Sequence, residues 1–183
     1  MKLAKTSIEG VYEAATDTMR DHRGQFARLF CGEDLRRAHL DRPIVQINYS
    51  RTLEAGTIRG LHFQGSPRAE AKWVRCLKGR VFDVAVDLRR GSPTFLHWHA
   101  IELDPKLMNA LFIPEGCAHG FQALAQESEL LYLHTESYCP ASEGGVRFDD
   151  PRLAIKWPLP AANLSERDSS YALITDSFQG ISI

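Results

Sequence analysis

The run Lys72-Trp73-Val74-Arg75-Cys76-Leu77, the turn Lys78-Gly79-Arg80 and the run Val81-Phe82-Asp83-Val84-Ala85-Val86-Asp87-Leu88 decide the fold class. The first run alternates in character from residue to residue, the period of a strand whose successive side chains point to opposite faces. The second is rich in β-branched and aromatic residues, and a glycine turn separates the two. The same signature recurs on both sides, in Ile44 to Ser50, Phe95 to Leu103, Ala110 to Pro114 and Leu130 to Thr135, with a further turn at Gly91-Ser92-Pro93. The expectation is an all-β domain, a sandwich or a barrel. Helical pattern is confined to Glu33 to His39, where Leu35 and Ala38 are the candidates for a buried stripe, and to Ser165 to Ser170. With no internal repeat, linker or low-complexity segment, residues 1–183 are expected to form one domain.

Composition narrows the partners. The chain has 183 residues, 44% hydrophobic and 25% charged, which suits one core of ordinary size. Lys and Arg total 22 against 23 Asp and Glu, so no basic excess recruits nucleic acid and any anion binding must be local. No apolar run approaches the roughly 20 residues of a membrane span. Cys31, Cys76, Cys117 and Cys139 are widely spaced without a CxxC pair, and the N-terminal residues hold no apolar signal core. These features predict a soluble, cytoplasmic protein with free thiols.

Chemistry-bearing residues concentrate in a few segments. Thr57-Ile58-Arg59-Gly60-Leu61-His62-Phe63-Gln64 sets a histidine beside an arginine, Lys72 adds a second cation, and Pro114-Glu115-Gly116-Cys117-Ala118-His119-Gly120-Phe121 adds another histidine. Each adjoins a strand-like run, so one pocket on one β scaffold is expected, with a general base near groups that stabilise negative charge. Gln46 and Asn48 share one strand face, as do Asp83 and Asp87; for the two aspartates structural hydrogen bonding is the expected role. Arg36, Arg37, Arg89 and Arg90 read as solvated charge.

Taken in order, Gln46-x-Asn48-x-Ser50, Arg59-Gly60-Leu61-His62-Phe63-Gln64, Lys72-x-Val74, Asp83 to Arg89, Ser92-Pro93-Thr94-Phe95, Ile113-Pro114-Glu115-Gly116-x-Ala118-His119-Gly120-Phe121 and Ile155-Lys156-Trp157-Pro158 carry a family likeness. The chain resembles the nucleotide-sugar 3,5-epimerases that act on dTDP-4-dehydro-6-deoxyglucose in rhamnose synthesis, from about Asp21 to Asp168. The resemblance implies a cupin-type double-stranded β-helix (jelly roll) with short peripheral helices, a homodimer with an exchanged N-terminal strand, and no metal or organic cofactor. It assigns His62 as the base, Asp168 as the carboxylate that orients it, Lys72 as the cation facing the substrate ketone, and Tyr132 as the proton donor on the opposite face. Arg23 and Arg59 match contacts to the nucleotide diphosphate. His119, Glu143, Gln46, Asn48, Tyr138, Arg28 and Arg167 complete the implied substrate-binding set.

Departures leave the substrate open at this point. Arg28 stands where a glutamate is common, Tyr49 where a histidine is frequent, and Arg68-Ala69-Glu70 replaces the usual glutamine-containing loop. A CDP- or GDP-linked ketosugar, or inversion at one carbon only, is an alternative. A second alternative is a metal-dependent cupin oxygenase or isomerase, because Gly91-x5-His97-Trp98-His99-x2-Glu102 with His119 resembles a metal-binding cupin signature, although its spacing to Glu102 is one residue short. A third is a cupin that only binds a nucleotide sugar; binding alone does not call for an acid and a base on opposing sides.

Overall fold

The computed structural model describes residues 1–38, 40 and 42–183. Its strands are β1 (Lys2–Lys5), β2 (Tyr12–Ala15), β3 (Thr18–Asp21), β4 (Gly24–Ala27), β5 (Gln46–Thr52), β6 (Ile58–Gln64), β7 (Lys72–Lys78), β8 (Val81–Asp87), β9 (Trp98–Leu103), β10 (Asn109–Ile113), β11 (Cys117–Ala123), β12 (Ser128–His134) and β13 (Glu143–Gly145). Helices are short: α1 (Gly32–Arg37), α2 (Glu166–Ser170) and a 3-10 turn at Pro140–Ser142. Among the described residues no helix is long and apolar enough to cross a membrane. One sheet runs β1-β2-β10-β7-β12-β5, the other β13-β6-β11-β8-β9, and β3 and β4 form a separate hairpin. The ladders are antiparallel, and the two stacked sheets make the expected jelly roll. The strands read from the sequence stand within a few residues of their expected ends. The expected helix from Glu33 is α1, which buries Leu35, and His39 lies outside the described residues. The tail helix is α2, capped by Ser165.

The Lys78–Arg80 turn passes the chain from one sheet to the other, since β7 pairs in the first sheet and β8 in the second. Alternation then aims one set of side chains inward. Val74, Cys76, Leu111 and Leu130 meet Val81, Ala85, Leu103 and Phe121 between the sheets. The outer faces are covered too, which explains why the runs are so apolar. Trp73, Phe112 and Leu133 pack under Leu35 and the N-terminal residues, while Leu61, Val84 and Ala118 pack under Leu153, Ile155 and Trp157. Arg75, buried on the first of these faces, donates to the carbonyls of Leu29 and Met108 and to Thr16 Oγ1. Burial pulls its guanidinium down to about 10.

Asp87 is structural, as expected. Burial alone would raise its carboxyl, but donors from Arg89, Ser92 and Thr94 hold it at about 2. Arg89 is correspondingly not the solvated charge expected: it is 17% exposed, pairs with Asp87 at 2.9 Å and also donates to the Glu9 carbonyl. A buried carboxylate two residues away is a stronger attraction than its neighbour Arg90 has.

The feature that opens the sandwich is a bulge in β6. Across from it His119 pairs with His62 and Phe121 with Arg59, so three steps on β6 span two on β11. In a regular strand residues 59 and 62 would face opposite ways; here Arg59 and His62 both line the interior while Leu61 is buried on the outer face. Gly60 has φ of +119°, and a Cβ there would lie 2.6 Å from Gly120 Cα and 2.7 Å from the His119 carbonyl oxygen. Gly60→Ala is therefore expected to destabilise the protein by about 2 kcal/mol or more, measured by urea unfolding. Unchanged stability would mean that the bulge accommodates a side chain.

Candidate active site

His62 and Asp168 are brought together from strand and helix. Ser165 caps α2 by accepting the Asp168 N–H at 3.0 Å, which fixes the Asp168 side chain toward β6. Its Oδ1 lies 2.7 Å from His62 Nε2 and its Oδ2 accepts the Gly60 N–H at 3.2 Å. Burial would raise the Asp168 carboxyl, yet the donors from His62, Gly60 and Ser165 keep it below its ordinary value, so it is an anion. The carboxylate accepts a hydrogen bond from Nε2–H of the neutral imidazole and so leaves Nδ1 as the basic nitrogen. Burial lowers the His62 pKa from its ordinary 6.5, Asp168 opposes this, and the Arg167 and Lys72 cations add to the lowering. The ring is neutral near pH 7, the state of a general base. Tyr171 packs edge-on against it, with ring centroids 6.1 Å apart.

The facing wall comes from the other sheet. Tyr132 on β12 bonds Ser50 Oγ at 3.2 Å. Burial raises its phenol well above 10, so the group stays protonated and is an acid in waiting. Lys72 on β7 pairs with Glu70 at 2.7 Å, and Glu70 also bonds His134 Nδ1 at 2.8 Å. Burial would raise the Glu70 carboxyl, but His134 and Lys72 hold it at about 2. Back on the His62 sheet, His119 of β11 bonds Asp83 of β8 at 2.8 Å and packs edge-on against the Tyr132 ring. Asp83 is thus a structural partner, as expected, although its second oxygen is buried without a hydrogen bond. At the mouth Arg59 donates to Thr52 Oγ1 and the Arg51 carbonyl, and Arg167 pairs with Glu143, which accepts from the Tyr138 hydroxyl. These groups enclose a cavity of about 1060 Å³.

A histidine able to act as a base on one sheet, facing a phenol and an ammonium on the other, suits proton transfer at a carbon beside a carbonyl. The family model for dTDP-4-dehydrorhamnose 3,5-epimerase matches residues 5–176. The chain belongs to the dTDP-4-dehydrorhamnose 3,5-epimerase family. It is 40% identical over 179 residues to a dTDP-4-dehydrorhamnose 3-epimerase of Streptomyces niveus, covering 97% of this chain and 86% of that one. It is also 40% identical over 167 residues to a dTDP-4-dehydrorhamnose 3,5-epimerase of Sinorhizobium fredii, covering 89% and 86%. The crystal structure of the Legionella pneumophila dTDP-6-deoxy-D-glucose-3,5-epimerase, in complex with dTDP-4-keto-L-rhamnose, superposes with a TM-score of 0.92 at 35% identity over 100% of this chain and 98% of that one.

Of the residues that the epimerase resemblance pointed to, His62, Lys72, Tyr132, Asp168, Gln46, Asn48, Arg59, His119, Tyr138, Glu143 and Arg167 all line this one cavity. Arg23 and Arg28 do not. Arg23 sits at the tip of the β3–β4 hairpin, paired with Asp21 at 2.6 Å, and Arg28 follows the hairpin with a guanidinium nitrogen 3.9 Å from Cys31 Sγ. The sequence reading passed over Glu70 and His134. Their signal was there: Glu70 stands two before Lys72, and His134 two after Tyr132 on the same strand face. The metal-binding alternative loses its geometry. His99 bonds Glu13, Glu102 pairs with Arg80 and His119 bonds Asp83, and among the described residues no three His, Cys, Asp or Glu side chains gather as a metal set.

The dyad makes a titration testable without substrate. The His62 ring is expected to titrate by NMR below 6.5. Asp168 pulls that value upward, so Asp168→Asn should move it lower still. A midpoint above 6.5, or an upward move in the variant, would contradict this electrostatic account.

Proposed function

We propose that this chain inverts carbons 3 and 5 of dTDP-4-dehydro-6-deoxyglucose, with His62 as the base, Lys72 at the ketone oxygen and Tyr132 as the acid. The observation that carries this reading is the placement of a carboxylate-held His62 and of Tyr132 on opposite sheets facing one cavity. Removing a proton from a carbon next to the ketone moves charge onto its oxygen, and a fixed ammonium there stabilises the enolate more than the ketone. Return of a proton from the other wall inverts the centre. Both carbons flank the same ketone, so one base and one acid serve both after the ring shifts between them. Each proton-transfer group is worth about 10²–10⁴ in rate.

The nucleotide diphosphate then extends toward Arg59 at the mouth, where paired guanidinium donors match phosphate oxygens. The thymidine assignment rests on the family and on the names of its relatives. Arg23 and Arg28 lie outside the cavity of their own chain, so a role for them in substrate binding requires the hairpin to enter the cavity of a second copy, as a homodimer with an exchanged N-terminal segment would allow. Here β1 and β2 pair within the chain, so the hairpin β3–β4 is the element to be exchanged. It joins neither sheet and exposes Met19 at 67% and Phe26 at 63%, while edge strand β5 exposes Ile47 at 62% and Tyr49 at 57%. Unpaired edges and paired apolar faces of this kind are what association covers.

In deuterium oxide the enzyme should place deuterium at carbons 3 and 5 of dTDP-4-dehydro-6-deoxyglucose without a reductase. His62→Asn should lower that exchange by about 10³ or more while nucleotide affinity stays within a few-fold. Deuterium at a single carbon would make it a mono-epimerase, and unaltered exchange in the variant would remove His62 as the base. The native chain should sediment as a dimer, and the double variant Met19→Asp, Phe26→Asp as a monomer with weakened nucleotide binding. A monomeric native enzyme of full activity would rule out the exchanged hairpin.

A further inference from the structure

One line of hydrogen bonds runs along the wall of the cavity in a single direction. The Tyr138 N–H donates to Gln46 Oε1 at 3.0 Å, and Gln46 Nε2 donates to Asn48 Oδ1 at 3.2 Å. Asn48 Nδ2 then donates to His134 Nε2 at 3.3 Å, and His134 Nδ1 lies 2.8 Å from Glu70 Oε2. The other Glu70 oxygen takes the Lys72 ammonium at 2.7 Å. A backbone N–H cannot reverse its polarity, so the first bond orients the Gln46 amide, which orients Asn48. Asn48 in turn offers hydrogens to His134 Nε2 and forces the ring proton onto Nδ1. Every polar atom in the line has one role.

We propose that Glu70 and His134 are positioning residues for the epimerisation, holding Lys72 at the ketone and tying it through Asn48 and Gln46 to the Tyr138 loop. This rests on the reading that Lys72 faces the ketone. Lys72 is the long, flexible member of the set, with three rotatable donors, and its side chain is only 7% exposed. Glu70 fixes it at one oxygen, and His134 fixes Glu70 at the other. The groups facing His134 are Glu70 from the loop before β7, Lys72 across the ladder, Gln46 and Asn48 from β5, and Tyr132, stacked on it at 6.0 Å along its own strand. Lys72 and Glu70 cancel in charge, so a neutral His134 leaves this wall neutral. A second proton on His134 would set an Nε2–H against the Asn48 amide hydrogens. Turning the Asn48 and Gln46 amides to relieve that contact would set the Gln46 hydrogens against the Tyr138 N–H. The Tyr138 loop also reaches the base wall, since the Tyr138 hydroxyl donates to Glu143, which pairs with Arg167, and Arg167 lies 3.2 Å from His62 Nε2.

The test has a spectroscopic and a kinetic arm. In histidine-labelled protein at pH 7.5, long-range proton–nitrogen correlations, assigned to His134 by their loss in His134→Asn, should show Nδ1 protonated and Nε2 bare. Asn48→Asp, which replaces the donor by an acceptor, should add the proton on Nε2. With dTDP-4-dehydro-6-deoxyglucose, Glu70→Gln should lower kcat by about tenfold or more and change KM by less than about threefold, the signature of lost positioning. A native enzyme that shows no exchange at all overturns the functional reading and this inference with it. A native enzyme that exchanges, but whose His134 carries its proton on Nε2 or whose Glu70→Gln variant keeps kcat within about twofold, overturns this inference alone.

Discussion

The hydrogen bond between His62 and Asp168 joins groups 106 residues apart, and the rest of the site depends on it. It exists because a bulge in β6 turns His62 to the interior and because Gly60, lacking a side chain, lets β6 approach β11 at backbone distance. The same backbone closes the arrangement by donating its Gly60 N–H to the second carboxylate oxygen. A buried carboxylate satisfied on both oxygens stays ionised, and an ionised Asp168 fixes which imidazole nitrogen is basic. The short helix α2 is too small to be stable alone, but its Ser165 cap and the bond to His62 hold it against β6.

The two-sheet construction explains how one chain sets His62 and Tyr132 on opposed walls of one cavity. Apolar residues fill the sandwich where the sheets are close, and polar ones replace them where β5, β7 and β12 face β6 and β11. Burial acts in opposite senses on the two walls. It favours the uncharged form of each group, which for His62 is the form able to accept a proton and for Tyr132 the form able to give one. The resting site thus holds both in the states the proposed proton transfer needs, while Glu70 and Asp168 keep their charges because cations and N–H donors surround them.

Much of this was legible in the sequence because alternation and glycine turns are local signals. Strands β5, β7 to β10 and β12 and both helices stand near their expected places, whereas the segments that became β6 and β11 were read for their chemistry and not as strands. The short strands β1 to β4 and β13 were not marked, since three or four residues are too few to carry a period. For the site, an ordered set of motifs named the residues that line the cavity, whereas strand periodicity alone would have put Arg59 and His62 on opposite faces. A bulge is a relation between two strands and leaves no mark in one. Glu70 and His134 were missed as site residues for a related reason: their meaning lies in a contact 64 residues apart, and the sequence showed Glu70 only as a departure from the family pattern and His134 only as part of a strand run. Arg89 was misread because its buried partner Asp87 was assigned a role without it. Arg23 and Arg28 lie at and just after the β3–β4 hairpin and do not line the cavity, a placement that no local motif reveals.

The central claim is that the base and the acid are different residues on different sheets. The most direct measurement uses substrate deuterated at carbons 3 and 5 with Tyr132→Phe, comparing the rate of deuterium loss to water with the rate of epimer formation. Separate roles predict that loss continues at a rate near that of the native enzyme while epimer formation falls by about 10² or more. Equal falls in both rates, or full epimerisation without the Tyr132 hydroxyl, would contradict the account.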